Sequence, residues 1–373
     1  MKWEEKSFDE IGFIRRGKSK HRPRNAEFLY GGDYPFIQTG DVKAANFRIT
    51  DYSQTYNDSG LAQSKLWKEG TLCITIAANI ADTAILGMDA CFPDSIIGFV
   101  ADENKSDVRF VKYFFDIFQA RMKSISTGAA QDNLSLEKLL TFKIPTPPLP
   151  TQRKIANILS AYDNLIENNL KRIKLLEEKA QLHYKMLVTT EKMEKVKLEE
   201  VVNVIKGRKP KDVLEIEEEN CVLYLLLDTV ERTKTIYTSD LAMPMANDDD
   251  VLMCMDGARS GLSFRGMKGA VGSTMAIWRA TDERISGEYL YQFLKENESA
   301  ITQGNTGAAI PHANRKFILE MKVSIIAKKQ LREFSESTQP INYLIRNLHQ
   351  QNTKLREARD ILLTRLMSGE IEV

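Results

Sequence analysis

The sequence predicts an α/β fold of two mixed α+β heads, each followed by a long helix, with the two helices pairing as an antiparallel coiled coil. Three observations predict it. The chain repeats itself at a nearly constant offset. Each repeat opens with short apolar runs bounded by turn residues. Each then ends in a long stretch with the apolar spacing of an amphipathic helix.

Thr127-Gly128-Ala129-Ala130 recurs as Thr306-Gly307-Ala308-Ala309, an offset of 179. The same offset carries Lys143-Ile144 onto Lys322-Val323, Leu165-Ile166 onto Leu344-Ile345, Asn168 onto Asn347, Leu176 onto Leu355 and Leu187 onto Leu366. The beginnings of the copies also correspond. Phe8-Asp9-Glu10-Ile11, leading to Arg16-Gly17-Lys18, parallels Leu198-Glu199-Glu200-Val201, leading to Lys206-Gly207-Arg208. These matches divide the chain into a head over 1–150, a helical segment over 151–190, a second head over 191–326 and a second helical segment over 327–373.

Within the heads, Pro35-Phe36-Ile37-Gln38, Thr71-Leu72-Cys73-Ile74-Thr75-Ile76 and Ser95-Ile96-Ile97-Gly98-Phe99-Val100 read as strands. Gly31-Gly32-Asp33, Asp58-Ser59-Gly60 and Lys68-Glu69-Gly70 supply turns. Residues 108 to 125 read as a helix with Val111, Phe114, Phe115 and Phe118 on one face, and Tyr289, Leu290, Phe293 and Leu294 stand at the corresponding place in the second copy.

The tails have a different period. Ile155, Leu159, Tyr162, Ile166, Leu170, Ile173, Leu176, Ala180, Tyr184 and Leu187 step by threes and fours, the seam of a helix that pairs with another. Pro145 to Pro150 is too rich in proline to be helical throughout, so the helix is expected from about Thr151. In the second copy Phe334, Ile341, Ile345, Leu348, Leu355, Leu362 and Leu366 continue the pattern, and Gly369 is a natural stop. Helices of about 35 residues would each be roughly 50 Å long. An antiparallel pairing would hold the two heads at opposite ends.

Composition excludes several classes. The N-terminus, Met1-Lys2-Trp3-Glu4-Glu5, has no apolar leader, and the longest apolar run, Cys221 to Leu227, is too short for a bilayer. The expectation is a soluble cytoplasmic protein without a membrane partner. Cys73, Cys91, Cys221 and Cys254 form no CxxC pair, and His21, His183, His312 and His349 have no metal-ligand spacing. No GxxxxGK[ST] phosphate loop occurs, and Thr146-Pro147-Pro148-Leu149 lacks the amide or carboxylate that an amino-methyltransferase motif uses. Catalytic and metal-binding residues are therefore assigned to none, and no cofactor is expected in this chain.

Net charge is +1, so any affinity for nucleic acid must come from local patches. Arg15, Arg16, Lys18, Lys20, Arg22 and Arg24 fall within ten residues and have no acid among them. Lys206, Arg208, Lys209 and Lys211 occupy the equivalent place in the second copy. Such cations neutralise phosphates, and arginine also pairs bidentately with guanine. Gln38 and Thr39 follow a strand, where they either read adenine edges or satisfy their own turn. Arg259 and Arg265 flank Gly261 in an expected loop and complete the candidates. Asp94, Glu103 and Lys105 outline a nuclease-type metal site, and Asp248-Asp249-Asp250 outlines an acidic cluster. The first lacks a counterpart in the second copy, and the second fits a charged turn.

The ordered elements Thr127-Gly128-Ala129-Ala130-Gln131-Asp132-Asn133-Leu134, Phe142-Lys143-Ile144-Pro145 and Pro147-Pro148-Leu149-Pro150-Thr151-Gln152-Arg153 resemble the end-of-domain signature of type I restriction-modification specificity subunits. Leu366-Met367-Ser368-Gly369-Glu370 resembles the end of their second helix. The sequence departs from the family at Thr151, where an acid is usual, and at Ser324 to Gln330, which replaces the proline-rich stretch. The resemblance implies a non-catalytic subunit whose two target-recognition domains read a bipartite double-stranded DNA target. It also implies helices that set the gap between half-sites and dock two methyltransferase subunits. Those partners would methylate adenine N6 with S-adenosylmethionine, and a restriction subunit using ATP and Mg would join them. Two alternatives stay open: the recognition subunit of a type IIB-like enzyme, and a coiled-coil scaffold whose heads never touch DNA.

Overall fold

The computed structural model describes residues 3–76, 81–125, 134–189, 193–307 and 309–373. The first Thr-Gly-Ala-Ala motif and the residues after it to Asn133 lie outside these, as does Ala308. The chain divides into two compact units, residues 1–170 with 351–373 and residues 171–350.

In the first unit, strand Glu4–Lys6 pairs antiparallel with Ile144–Thr146, closing the start of the head onto its end. A short helix, Phe8–Ile11, follows, and at its start Glu10 accepts the backbone N–H of Ser7 at 2.7 Å. It feeds Gly12–Arg16, the edge of a five-stranded sheet ordered Gly12–Arg16, Ile96–Ala101, Leu72–Thr75, Thr83–Leu86, Arg48–Ile49. A second sheet has the order Gln54–Tyr56, Tyr30–Phe36, Ala90–Cys91, Leu66–Trp67.

Strand alternation explains the two cores. Leu72–Thr75 is buried at every position, so both of its faces are covered. Leu72 and Ile74 point into a cluster with Phe8, Phe99, Phe110 and Phe115, which includes the Val108–Ile125 helix. Cys73 points to the other face, with Trp67, Phe92 and Ile96. Cys73 is therefore a packed apolar side chain, and burial pushes its thiol pKa up.

The second unit repeats this plan. Glu194–Lys197 pairs with Lys322–Ile325, and the main sheet runs Val202–Lys206, Met275–Ala280, Val251–Cys254, Ser263–Arg265. The second sheet runs Tyr237–Thr238, Val222–Leu225, Gly269–Val271, Met245–Ala246. A parallel pairing recurs in the second sheets, Tyr30–Phe36 with Ala90–Cys91 and Val222–Leu225 with Gly269–Val271. Val251 and Met253 face one core while Leu252 and Cys254 face the other, as their counterparts do.

The long helices are Leu149–Thr189 and Lys328–Met367. The first starts two residues before the expected Thr151, because proline is tolerated in a first turn, where Pro150 sits. The second continues through Pro340, whose missing N–H normally breaks a helix at a cost of about 3 kcal/mol. Ile341 and Ile345, both buried just beyond it, hold the helix in place through packing.

Each unit contains part of both helices, and within each the parts pair antiparallel. In the first unit Ile155, Ala156 and Leu159 share a core with Leu363, Leu366 and Met367, and Asn169 Nδ2 donates to Asn352 Oδ1 at 2.9 Å. In the second, Tyr184 packs with Leu331 and Phe334. Of the expected seam, Ile155, Leu159, Ile166, Ile173, Ile341, Ile345, Leu348 and Leu366 are buried, and Tyr162, Leu176, Leu355 and Leu362 are half-buried. Among the described residues no helix is long and apolar enough to cross a membrane.

Candidate nucleic-acid interface

Both basic loops leave the main sheet at a glycine, and close packing explains why. A Cβ on Gly17 would lie 2.3 Å from the Pro93 carbonyl oxygen, and one on Gly207 would lie 2.1 Å from that of Gly272. The backbone can then dock. Gly17 N donates to Ile96 O at 2.8 Å and Lys18 N to Phe92 O at 2.9 Å. Gly207 N donates to Met275 O at 3.0 Å and Arg208 N to Val271 O at 3.1 Å. The Arg/Lys-Gly-Lys/Arg match between the copies is thus a structural one: the same strand exit in each head.

Beyond that exit, backbone capture turns the cations outward. In the first head Ser64 Oγ donates to Lys18 O at 2.6 Å, Gln63 Oε1 accepts from His21 N at 3.0 Å, and Tyr30 Oη donates to Arg24 O at 2.7 Å. Arg15, Arg16, Lys20, Arg22 and Arg24 are exposed and Lys18 is half-buried. In the second head Asp212 accepts from Ser239 N at 3.0 Å and Thr238 Oγ1 at 3.2 Å, contacts that hold its carboxyl below its ordinary pKa. Lys206, Arg208, Lys209 and Lys211 are all exposed.

Three arginines of these loops lean on carboxylates. Arg24 Nη2 donates to Asp94 Oδ1 at 2.6 Å, with Arg22 Nη2 at 3.8 Å from the other oxygen. Arg208 Nη2 is 3.7 Å from the buried Asp240 Oδ2. Arg22 also donates to the carbonyls of Ser19 and His21, so part of its guanidinium shapes the loop.

The remaining candidates separate. Gln38 and Asp41 cap the Thr39–Ala44 helix, with Gln38 N donating to Asp41 Oδ2 at 2.7 Å and the Gln38 amide bonded to Gln54. Thr39 is half-buried in the first turn of that helix. Arg259 is exposed and paired with Glu231. Arg265 is committed elsewhere: its Nε and Nη2 each lie 2.9 Å from the Glu288 carboxylate, Nη1 pairs with Glu177, and it stacks 4.3 Å from the Tyr291 ring centre. Only 17% of its side chain is exposed, so it serves as an internal tie of the second unit.

Asn305, just before the second Thr-Gly-Ala-Ala motif, reaches the Arg259 loop, with Nδ2 donating to Ser260 O at 2.9 Å. Thr306 and His312 exchange backbone hydrogen bonds, and Gly307 has φ +91°. Such a φ favours glycine, which has no Cβ to clash.

The sequence reading missed Lys65. Its Nζ lies 3.6 Å from the centre of the Trp67 ring and 4.8 Å from that of the exposed Phe13, whose ring Arg15 also covers at 5.1 Å. Burial and the Arg15 charge both lower the Lys65 pKa. A single lysine between Ser64 and Leu66 carries no pattern that would have found it.

The acidic candidates do not assemble a metal site. Asp94 is taken by arginines, and Lys105 Nζ pairs with Asp102 at 3.2 Å. Asp250 is buried against Arg279, whose Nε and Nη2 donate at 2.7 Å each, and accepts the Asn247 N–H within its turn. Among the described residues no group of three or more His, Cys, Asp or Glu is placed to hold a metal ion.

Residues 1–178 match the family model for the type I restriction modification DNA specificity domain. The chain is 22% identical to the type I restriction enzyme MjaIX specificity subunit of Methanocaldococcus jannaschii, an alignment covering 100% of this chain and 94% of that protein. It is 24% identical to the MjaVIII specificity subunit of the same organism, over 48% of this chain and 42% of that one, so that match spans less than half of the relative. A crystal structure of a type I restriction-modification S subunit from M. genitalium superposes with a TM-score of 0.56 at 17% identity, covering 98% of this chain and 96% of that one. That likeness is one of fold.

Proposed function

We propose that this chain is a type I restriction-modification specificity subunit and that its two heads each read one half of a bipartite duplex target for a partner methyltransferase. One observation carries the reading: in each head a glycine exit seats a loop of outward-facing cations at the same end of the main sheet. Phosphate contacts by such loops position a protein on the duplex, and base-edge contacts specify the sequence. The candidate contacts are Arg15, Arg16, Lys18, Lys20, Arg22 and Arg24 in the first head and Lys206, Arg208, Lys209, Lys211 and Arg259 in the second.

The long helices are proposed to set the gap between half-sites and to dock two methyltransferase subunits, with restriction subunits joining that core. Duplicated exposed apolar positions support two copies of one partner. Leu165 and Leu344 are both exposed, as are Leu182 and Ile361, and each pair is related by the offset of 179. Methyl transfer to adenine N6 from S-adenosylmethionine, and ATP- and Mg-dependent restriction, would reside in those partners.

The test is mapping of methylated bases in a genome expressing this chain with its methyltransferase subunit, against one lacking this chain. N6-methyladenine at one split motif with a constant gap is the expected result. Unchanged methylation, with the methyltransferase shown to be bound, would leave a scaffold.

A further inference from the structure

We propose that Arg24 reads a guanine in the half-site of the first head and that Asp94 is its positioning residue. The assignment rests on the DNA-recognition reading above and adds to it one base and the pair of side chains that selects it.

Arg24 is the cation of the first basic loop whose guanidinium is hydrogen-bonded to a carboxylate. Tyr30 Oη donates to its carbonyl at 2.7 Å, which fixes the backbone, and Asp94 Oδ1 accepts from Nη2 at 2.6 Å, which fixes the guanidinium. Asp94 itself has little freedom. It sits in a tight turn closed by Ile96 N donating to Pro93 O at 3.1 Å, and that turn is hydrogen-bonded on both sides to Gly17 and Lys18. Both side chains nevertheless remain open to solvent, at 48% exposed for Arg24 and 39% for Asp94.

A guanidinium has five N–H donors in a planar fork. The carboxylate takes one donor of Arg24, and among the described residues no other acceptor bonds the rest. A fork held in plane by a carboxylate at one corner presents its free donors in a fixed direction. The partner of matching geometry in a major groove is guanine, which offers O6 and N7 as adjacent acceptors. The fork loses little further entropy on binding, so discrimination rises more than general attraction does. Lys20 differs in both respects. It is exposed, forms no ion pair among the described residues, and has a flexible stem suited to phosphate.

The second head carries a looser version. Arg208 stands 3.7 Å from Asp240 Oδ2, an atom that is buried and lacks a hydrogen-bond partner. An arginine of each basic loop thus has a carboxylate behind it, and only in the first head is the contact a hydrogen bond.

The experiment compares N6-methyladenine motifs written by the wild-type chain, Asp94→Asn, Arg24→Lys and Lys20→Ala, each expressed with the methyltransferase subunit. At one G·C pair of one half-site, the wild-type preference is expected to fall by roughly fivefold or more in Asp94→Asn and Arg24→Lys. Lys20→Ala is expected to lower methylation without changing any base preference. Arg24→Lys keeps the charge on an exposed side chain, so it decides the matter even if Asp94→Asn disturbs the turn. A wild-type motif that keeps every base preference in Arg24→Lys, or loses all positions equally, overturns this assignment alone. Absence of any chain-dependent motif for the wild type overturns the DNA-recognition reading and this assignment with it.

Discussion

Arg359 of the second long helix donates through Nη1 to Asp163 Oδ1 of the first at 2.5 Å, and Tyr113 Oη of the head donates to Asp163 Oδ2 at 2.5 Å. Asp163 is fully buried, so one carboxylate joins three helices of the first unit. Burial alone would lower the Arg359 pKa, but Asp163 and Asp360 outweigh it and hold the guanidinium above its ordinary value. Burial, and then the Asp163 charge, keep Tyr113 protonated well above its usual range. The offset of 179 carries Tyr113 onto Gln292 and Asp163 onto Asn342. In the second unit those two amides bond Glu288, at 2.6 and 2.8 Å, and Glu288 holds Arg265. Each unit therefore packs a carboxylate bonded to an arginine at this place, although the acid comes from the long helix in one case and the head helix in the other.

Asp163→Ala is expected to lower the stability of the first unit by about 3 kcal/mol, because it leaves the Tyr113 hydroxyl without its buried acceptor and the Arg359 guanidinium with Asp360 alone. Asp163→Asn, which can still accept from Tyr113, should cost less. Urea unfolding at neutral pH measures both. A loss below about 1 kcal/mol for Asp163→Ala would mean that the pair is screened like a surface bridge.

Arg265 and Lys20 were candidates of the same kind in the sequence, and they should now part company. Arg265→Met removes a charge facing Glu288 and Glu177, and is expected to cost about 3 kcal/mol of stability. Lys20→Ala should leave stability within about 0.5 kcal/mol. It should also reduce the slope of log affinity against log salt by about 0.9, the share of one phosphate contact. Salt-dependent binding of duplex DNA to the complex, read beside thermal melting, separates the two. Equal salt slopes for wild type and Lys20→Ala would remove Lys20 from the interface.

That divergence shows where sequence reading stops. The repeat and the helical seam follow from local periodicity, so residues such as Ile155, Leu159, Ile341 and Ile345 are found before any coordinates. The glycine exits could be read too, since Gly17 and Gly207 recur between cations for a steric reason. Arg265 could not be assigned, because Glu177 and Glu288 are brought to it only by tertiary packing, from 88 and 23 residues away. The seam runs straight through Pro340, a residue type that normally breaks a helix, and the helix continues there. Asp94 suggested a metal ligand by motif until Arg24 supplied its partner from 70 residues away.

Acid should act on the first head through Glu10. Bonds from Ser7, reinforced by Lys143, lower its pKa from 4.5 to about 2. Because the folded value is depressed, the contribution is present above the unfolded value of 4.5 and is lost as pH falls through about 2. Unfolding followed from pH 5 to 2 should show wild type losing more stability than Glu10→Gln across that window. Parallel curves would remove Glu10 from the acid limb.

The last prediction concerns the gap between half-sites. If the paired helices set it, lengthening both by seven residues at matched points near Leu170 and Gln350 should preserve the seam, since seven residues return an a or d position to the same face. Each helix would grow by about 10 Å at 1.5 Å per residue. At about 3.4 Å per base pair, that corresponds to roughly three added pairs. Methylation mapping of this variant should recover both wild-type half-sites with a longer gap. Lengthening one helix alone should abolish methylation, because the seam residues after the insertion, Ile173 and Leu176 or Leu355 and Leu362, would face partners out of register. Recovery of altered half-sites with an unchanged gap would remove the helices from any measuring role and move the determinant of spacing into the heads.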